Sequence, residues 1–183
     1  MIKSNNVFQM SLLVTFSIMF MMATNSTQSF AQPSNMTNST QSFNYTKNLF
    51  VFSKPQGYGI YQERNSNVFK PGEDIILYIE PSGFTYKSLR DDQGKLLYSM
   101  DFAPTATIYD KNGNVLAGPL EIPNIDIISH YKNKEIIIPF TLSQTSPFPP
   151  GDYIIKYAIT DINSGKSFDI VKDVKISNGS ITS

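Results

Sequence analysis

The sequence predicts an all-β protein, an antiparallel β-sandwich that follows an exported and unstructured leader. Three observations carry that reading. From about Gly57 onward, short β-branched and aromatic runs alternate with Gly, Pro, Asn and Asp turn signals. Asp152–Asp161 sets Tyr153, Ile155, Tyr157 and Ile159 against Lys156 and Thr160 with the period of two that a half-buried strand requires. No segment shows a capped apolar repeat of about 3.6 residues, so no helix is expected.

The leader comes first. Lys3 is the only charged residue before Lys47, and Met10 to Ala23 is an apolar run of signal-peptide length. A spanning helix needs roughly 20 apolar residues, and hydroxyls interrupt this run. Ser29 and Ala31 supply the small residues for cleavage after Ala31, which makes residues 1–31 a signal peptide. The alternative is an uncleaved anchor starting nearer Val7. Residues 32–56 read as a disordered Ser/Thr/Asn-rich linker, because so little apolar surface cannot offset the entropy of ordering it. The heptapeptide Thr-Asn-Ser-Thr-Gln-Ser-Phe occurs at 24–30 and again at 37–43, a duplication too short to build a repeat fold. Sequons at Asn35, Asn38 and Asn44, with a further one at Asn178, are candidate N-glycosylation sites; chance matches in an Asn/Ser/Thr-rich tract are the plain alternative. The chain has no cysteine, so disulfides, thiolate metal sites and a lipid-carrying cysteine are excluded, and stability has to come from the core.

Residues 57–177 are expected as one domain, with 178–183 as a tail. Gly57–Glu63 is the first candidate strand. Lys70-Pro71-Gly72-Glu73 is a turn in which proline presets φ and glycine supplies the positive φ. It leads into Asp74–Glu80, apolar on both faces up to Tyr78 and therefore central in its sheet. Phe84–Arg90 and Lys95–Phe102 flank Asp91–Gly94 as a hairpin; Thr105–Asp110 and Asn114–Leu116 flank Lys111–Gly113 as another. Ala117–Lys134 is a long connection. Glu135–Leu142 is a strand whose Pro139 argues for an edge or a bulge. Asp152–Asp161 and Lys166–Ser177 close the domain as a hairpin around Asn163-Ser164-Gly165.

Two stretches carry a family resemblance. Pro149-Pro150-Gly151-Asp152-Tyr153, followed by the alternating strand, resembles the penultimate strand of immunoglobulin-like domains, in which a tyrosine ties the preceding corner by its hydroxyl. The resemblance gives Tyr153 that role. The stretch from Gly59 to Phe84, with Phe69-Lys70-Pro71-Gly72-Glu73 at its centre, is similar to the opening of a group of uncharacterised secreted prokaryotic proteins that end in a Pro-Gly-Asp-Tyr strand. Together they imply an immunoglobulin-like β-sandwich and bring no catalytic residues. The antibody-type Cys…Trp…Cys set is missing, since neither residue type occurs.

The inventory argues against chemistry. His130 is the only histidine, and it lies beside Ser129 and four residues after Asp126; three groups in one loop rarely converge as a triad. Histidine- or cysteine-rich zinc and copper sites cannot be built, including that of a cupredoxin. Asp91-Asp92 and Asp110–Asn114 could touch calcium, but Asp, Asn and Gly at these points are what hairpin turns need. No pair of acids stands out for glycoside hydrolysis, no phosphate loop is present, and no cofactor or metal is implied. After a cut at Ala31 fourteen basic side chains face fifteen acidic ones, and no basic stripe suits nucleic acid.

Binding is the reading that survives. Tyr58, Tyr61, Phe69, Tyr78, Phe84 and Tyr86 crowd into one stretch; sheet packing accounts for most of them, with Tyr61 and Tyr86 the expected exposed exceptions. Arg64 and Glu80 are the polar candidates, against the simpler role of structural ion pairing. The expectation is a non-catalytic, glycosylated module, secreted or on the cell surface, that contacts other envelope or extracellular proteins. The alternative is a carbohydrate- or small-ligand-binding β-sandwich. Membrane contact is expected only if the N-terminal segment is retained.

Overall fold

The computed structural model of the protein describes residues 42–179; the expected signal peptide, residues 32–41 of the expected linker and the sequons at Asn35 and Asn38 lie outside them. The described residues form ten strands and no helix: β1 (Asn44–Val51), β2 (Val68–Phe69), β3 (Ile75–Ser82), β4 (Lys87–Arg90), β5 (Leu96–Asp110), β6 (Val115–Glu121), β7 (Ile125–Ser129), β8 (Ile138–Leu142), β9 (Gly151–Asp161) and β10 (Lys166–Ile176). The smaller sheet has the order β1-β3-β8. The larger runs β2-β10-β9-β5, with β4 beside one edge of β5 and β6 and β7 in line along the other. All pairings are antiparallel except β2 with β10. One core joins the sheets: Phe50, Ile75, Leu77, Ile79, Ile138 and Phe140 from the smaller meet Phe102, Ile108, Ile155, Tyr157, Ile159 and Ile170 from the larger. Alternation does the sorting, since odd positions of β9 turn inward and even positions outward.

The structure brings part of the expected linker into the fold. The linker expected over 32–56 contains β1, which pairs with β3 along its length, and Phe43, the last residue of the second heptapeptide, is buried. Its ring sits 4.7 Å from Phe168 and 6.0 Å from Phe102. Burying one phenylalanine is worth about 1.5–3 kcal/mol, against about 1–2 kcal/mol to order one residue's backbone. Phe43, Phe50 and Val51, together with the ladder to β3, suffice to order a tract whose average composition is that of a linker.

Three further differences concern strands. Gly57–Glu63 is not a strand; it holds only isolated bridges, Gly57 to Ile60 and Glu63 to Val51. The two strands expected around Pro104 are one, the 15-residue β5. Pro104 is tolerated because its carbonyl, which accepts the Ile122 amide, faces the gap between β6 and β7, so its missing donor points where no ladder partner stands. The long connection from Ala117 hides the end of β6 and all of β7, strands at an exposed edge whose side chains are only partly buried. Elsewhere β3 is central and nearly all buried, β8 with Pro139 is an edge strand, and hairpins turn at Asp91–Gly94 and Lys111–Gly113.

Asp161, fully buried at the end of β9, seals the junction at which β9 hands over to β4 beside β5. Its Oδ2 accepts the Thr85 amide (2.9 Å) and the Ser164 hydroxyl (2.6 Å), and its Oδ1 accepts the Asn163 amide (3.1 Å). Asn163 Nδ2 then donates to the carbonyls of Thr85 and Ser99 (3.1 Å each).

Candidate functional site

β3 turns Ile75, Leu77 and Ile79 into the main core and Ile76, Tyr78 and Glu80 to the outer face of the smaller sheet. A turn and loop around residues 57–61 cover that face. Tyr61 packs on Tyr78 with ring centroids 4.4 Å apart, and a small second core forms from Val51, Ile76 and Tyr78. The Gly59 amide donates to the Tyr78 hydroxyl (2.9 Å), which donates to Glu80 Oε1 (2.8 Å). The Thr46 hydroxyl donates to Glu80 Oε2 (3.3 Å). Burial pushes the Tyr78 phenol up to about 12. Glu80 is thus a buried carboxylate held by hydroxyls, and among the described residues it has no cationic partner.

A cleft of about 460 Å³ opens above this chain of hydrogen bonds. Tyr58, Phe84 and Tyr86 form its aromatic walls; Thr46, Ser82, Lys134 and Glu135 supply its polar groups. The tight turn at Gly57–Ile60 holds Tyr58 outward, and its Gly59 takes a φ of 70° that other residues rarely adopt. The charge of Glu80 raises the Tyr58 phenol above its ordinary range. Also in the lining, the Tyr86 hydroxyl donates to the Asn133 carbonyl (2.8 Å), and burial raises that phenol. The cleft adjoins, through Lys134 and Glu135, a shallow hollow of about 510 Å³ over Lys132–Glu135.

Of the four residues named from the sequence, the structure brings Tyr86 alone to the lining of this cleft; Glu80 is buried behind it. Tyr61 is half-buried beside it, where the Lys47 ammonium donates to its hydroxyl (3.1 Å). Arg64 is elsewhere and is structural. Its guanidinium lies over the rings of Phe69 (4.2 Å) and Phe52 (5.2 Å), pairs with Glu73 (2.5 Å) and donates to the Val68 carbonyl. The sequence assigned Tyr58 to sheet packing and exposure to Tyr61 and Tyr86; in the structure Tyr58, at 42% exposure, is the aromatic of this cleft that projects, whereas Tyr61 and Tyr86 are half-buried. Its place between two glycines was the available signal: a tight turn displays what it carries.

The remaining candidates resolve as follows. Asp91 Oδ1 accepts the amides of Gln93 and Lys95, and Asp110 Oδ1 those of Asn112 and Asn114, so both acids organise their own turns. The Asn114 side-chain amide, with its main-chain amide, holds the Asp110 carboxyl below its ordinary range. Among the described residues no three His, Cys, Asp or Glu side chains converge on a metal position. His130 is exposed just after β7. Asn44, at the start of β1, and Asn178 are exposed. The Tyr153 hydroxyl donates to the Pro149 carbonyl (2.8 Å) and ties the corner before β9. In comparison with known proteins, the chain matches no family model and no curated protein.

Proposed function

We propose that this chain is an exported, non-catalytic module of immunoglobulin-like fold that holds another protein at the cell surface. The fold reading rests on strand order: β1-β3-β8 against β10-β9-β5 follows the A-B-E and G-F-C sheets of that class, and the Tyr153–Pro149 bond stands where its tyrosine corner does. Export rests on the apolar leader alone.

The observation that carries the function is the outer edge of the larger sheet. β6 and β7 each pair on one side only, with β5, and along them Val115, Leu116, Leu120 and Ile128 are exposed, followed by Tyr131 at 76%. Open edges of this kind usually carry lysines; β6 has none. Gly118 is required within it, because at a φ of 110° a Cβ would lie 2.6 Å from the Ala106 carbonyl oxygen. Pro119 and the irregular register around it blunt the middle of the edge, leaving Val115–Leu116 and β7 as the stretches to which an extended partner segment can pair.

The test is binding of fluorescent chain to the producing cells, with Leu116→Lys and Ile128→Lys combined as the comparison. Saturable binding that weakens at least about tenfold in the double variant is expected, since both residues are exposed and their replacement leaves the core intact. Equal binding by the two proteins would remove the edge from the mechanism.

A further inference from the structure

The cleft between Tyr58 and Tyr86 has no part in the edge just described. Its volume of about 460 Å³ lies in the range of small-ligand pockets, roughly 300–1,000 Å³. Two other hollows, beside Tyr153 and Arg64, are smaller, at about 330 and 260 Å³. The wall chemistry is mixed in a particular way. Tyr58 offers an exposed aromatic ring. Ser82 and Lys134 offer donors, and Glu135 offers an acceptor. Lys134 and Glu135 are outside the two ion pairs among the described residues, so both remain available to a ligand. Their opposite charges offset each other, which removes any strong preference for a net anion or cation.

We propose that this cleft binds a neutral saccharide. A pyranose presents an apolar C–H face suited to an aromatic ring, and a rim of hydroxyls that each donate and accept. Tyr58 takes the face; Ser82, Lys134 and Glu135 take the rim. The Gly59–Tyr78–Glu80 chain of hydrogen bonds fixes the turn that carries Tyr58, so the platform is ordered before ligand arrives. Glu80 itself is behind the wall and acts as a positioning residue.

The experiment titrates the full chain with cellotriose, maltotriose and triacetylchitotriose, read by calorimetry and by saturation transfer from protein to sugar protons. At least one probe is expected to bind saturably. Tyr58→Ala should weaken it about tenfold or more and Glu135→Gln several-fold, whereas Tyr58→Phe, which keeps the ring, should stay within about threefold of wild type. Tyr58 is exposed, so its replacement leaves the core in place. Leu116→Lys should leave sugar binding unchanged, which separates this site from the edge. The proposal is overturned if none of the three sugars binds, or if binding is indifferent to both Tyr58→Ala and Glu135→Gln.

Discussion

Tyr78 and Glu80, two residues apart on β3, are joined by a 2.8 Å hydrogen bond in which the phenol donates to the carboxylate, while the same phenol oxygen accepts the Gly59 amide at 2.9 Å. One side chain therefore ties a surface turn to a sheet and satisfies a buried charge. Tyr78→Phe leaves both partners without it. A loss of about 2 kcal/mol is expected in urea unfolding, with faster amide exchange at Gly59. An unchanged midpoint would show that water replaces the phenol.

Alkali should act through the buried phenols. Tyr78 is pushed up to about 12 by burial, and burial raises Tyr157 as well. A phenol whose folded value exceeds its unfolded value of about 10 contributes stability that is complete below about pH 10. That contribution is lost as pH rises towards 12. Unfolding free energy should fall over this window, and the fall should be shallower in the Tyr78→Phe, Tyr157→Phe double variant.

Tyr157 gives the opposite expectation from Tyr78 at neutral pH. It is fully buried, packs edge-on to Phe140 at 4.7 Å, and its hydroxyl has no partner among the described residues. Removing an unsatisfied hydroxyl while keeping the ring should raise stability by up to about 1 kcal/mol in Tyr157→Phe. A destabilised variant would point to a buried water on that oxygen.

Asp161 is the residue most exposed to substitution. Asp161→Ala strands the Thr85 and Asn163 amides at the β9–β4 junction, and a loss of about 3 kcal/mol is expected in thermal or urea unfolding. Asp161→Asn keeps one acceptor oxygen and should cost about half as much. Equal stability of all three proteins would mean that the junction is held by the ladder alone.

The Tyr153 corner is a smaller effect. Tyr153→Phe removes the bond to the Pro149 carbonyl and keeps the packing against Phe148, so about 1 kcal/mol should be lost with the fold intact.

Strands were legible where one residue period had one cause. β9 and β10 bury alternate residues against one core, and β3 buries nearly every residue between the core and the covering turn; their sequences say so. β1 and β7 were not legible, because each owes its order to a long partner: β3 for one, β5 for the other. For the cleft, the sequence supplied Tyr86 as an isolated lining candidate and Glu80 as the buried group behind it. It could not supply Lys134 and Glu135, which arrive from the far side of a connection about fifty residues later.

By itself the sequence determined the all-β class, the central place of β3, the closing hairpin and the exclusion of cysteine and multi-histidine chemistry. These follow from residue type and short-range periodicity, which act within one element. Only the tertiary structure decided that Phe43 and β1 belong to the fold, that Arg64 is a buried partner of Glu73, and that Tyr58 and Tyr86 line one cleft. Each of those depends on which distant strand supplies the neighbour, and burial energy is a property of the pair.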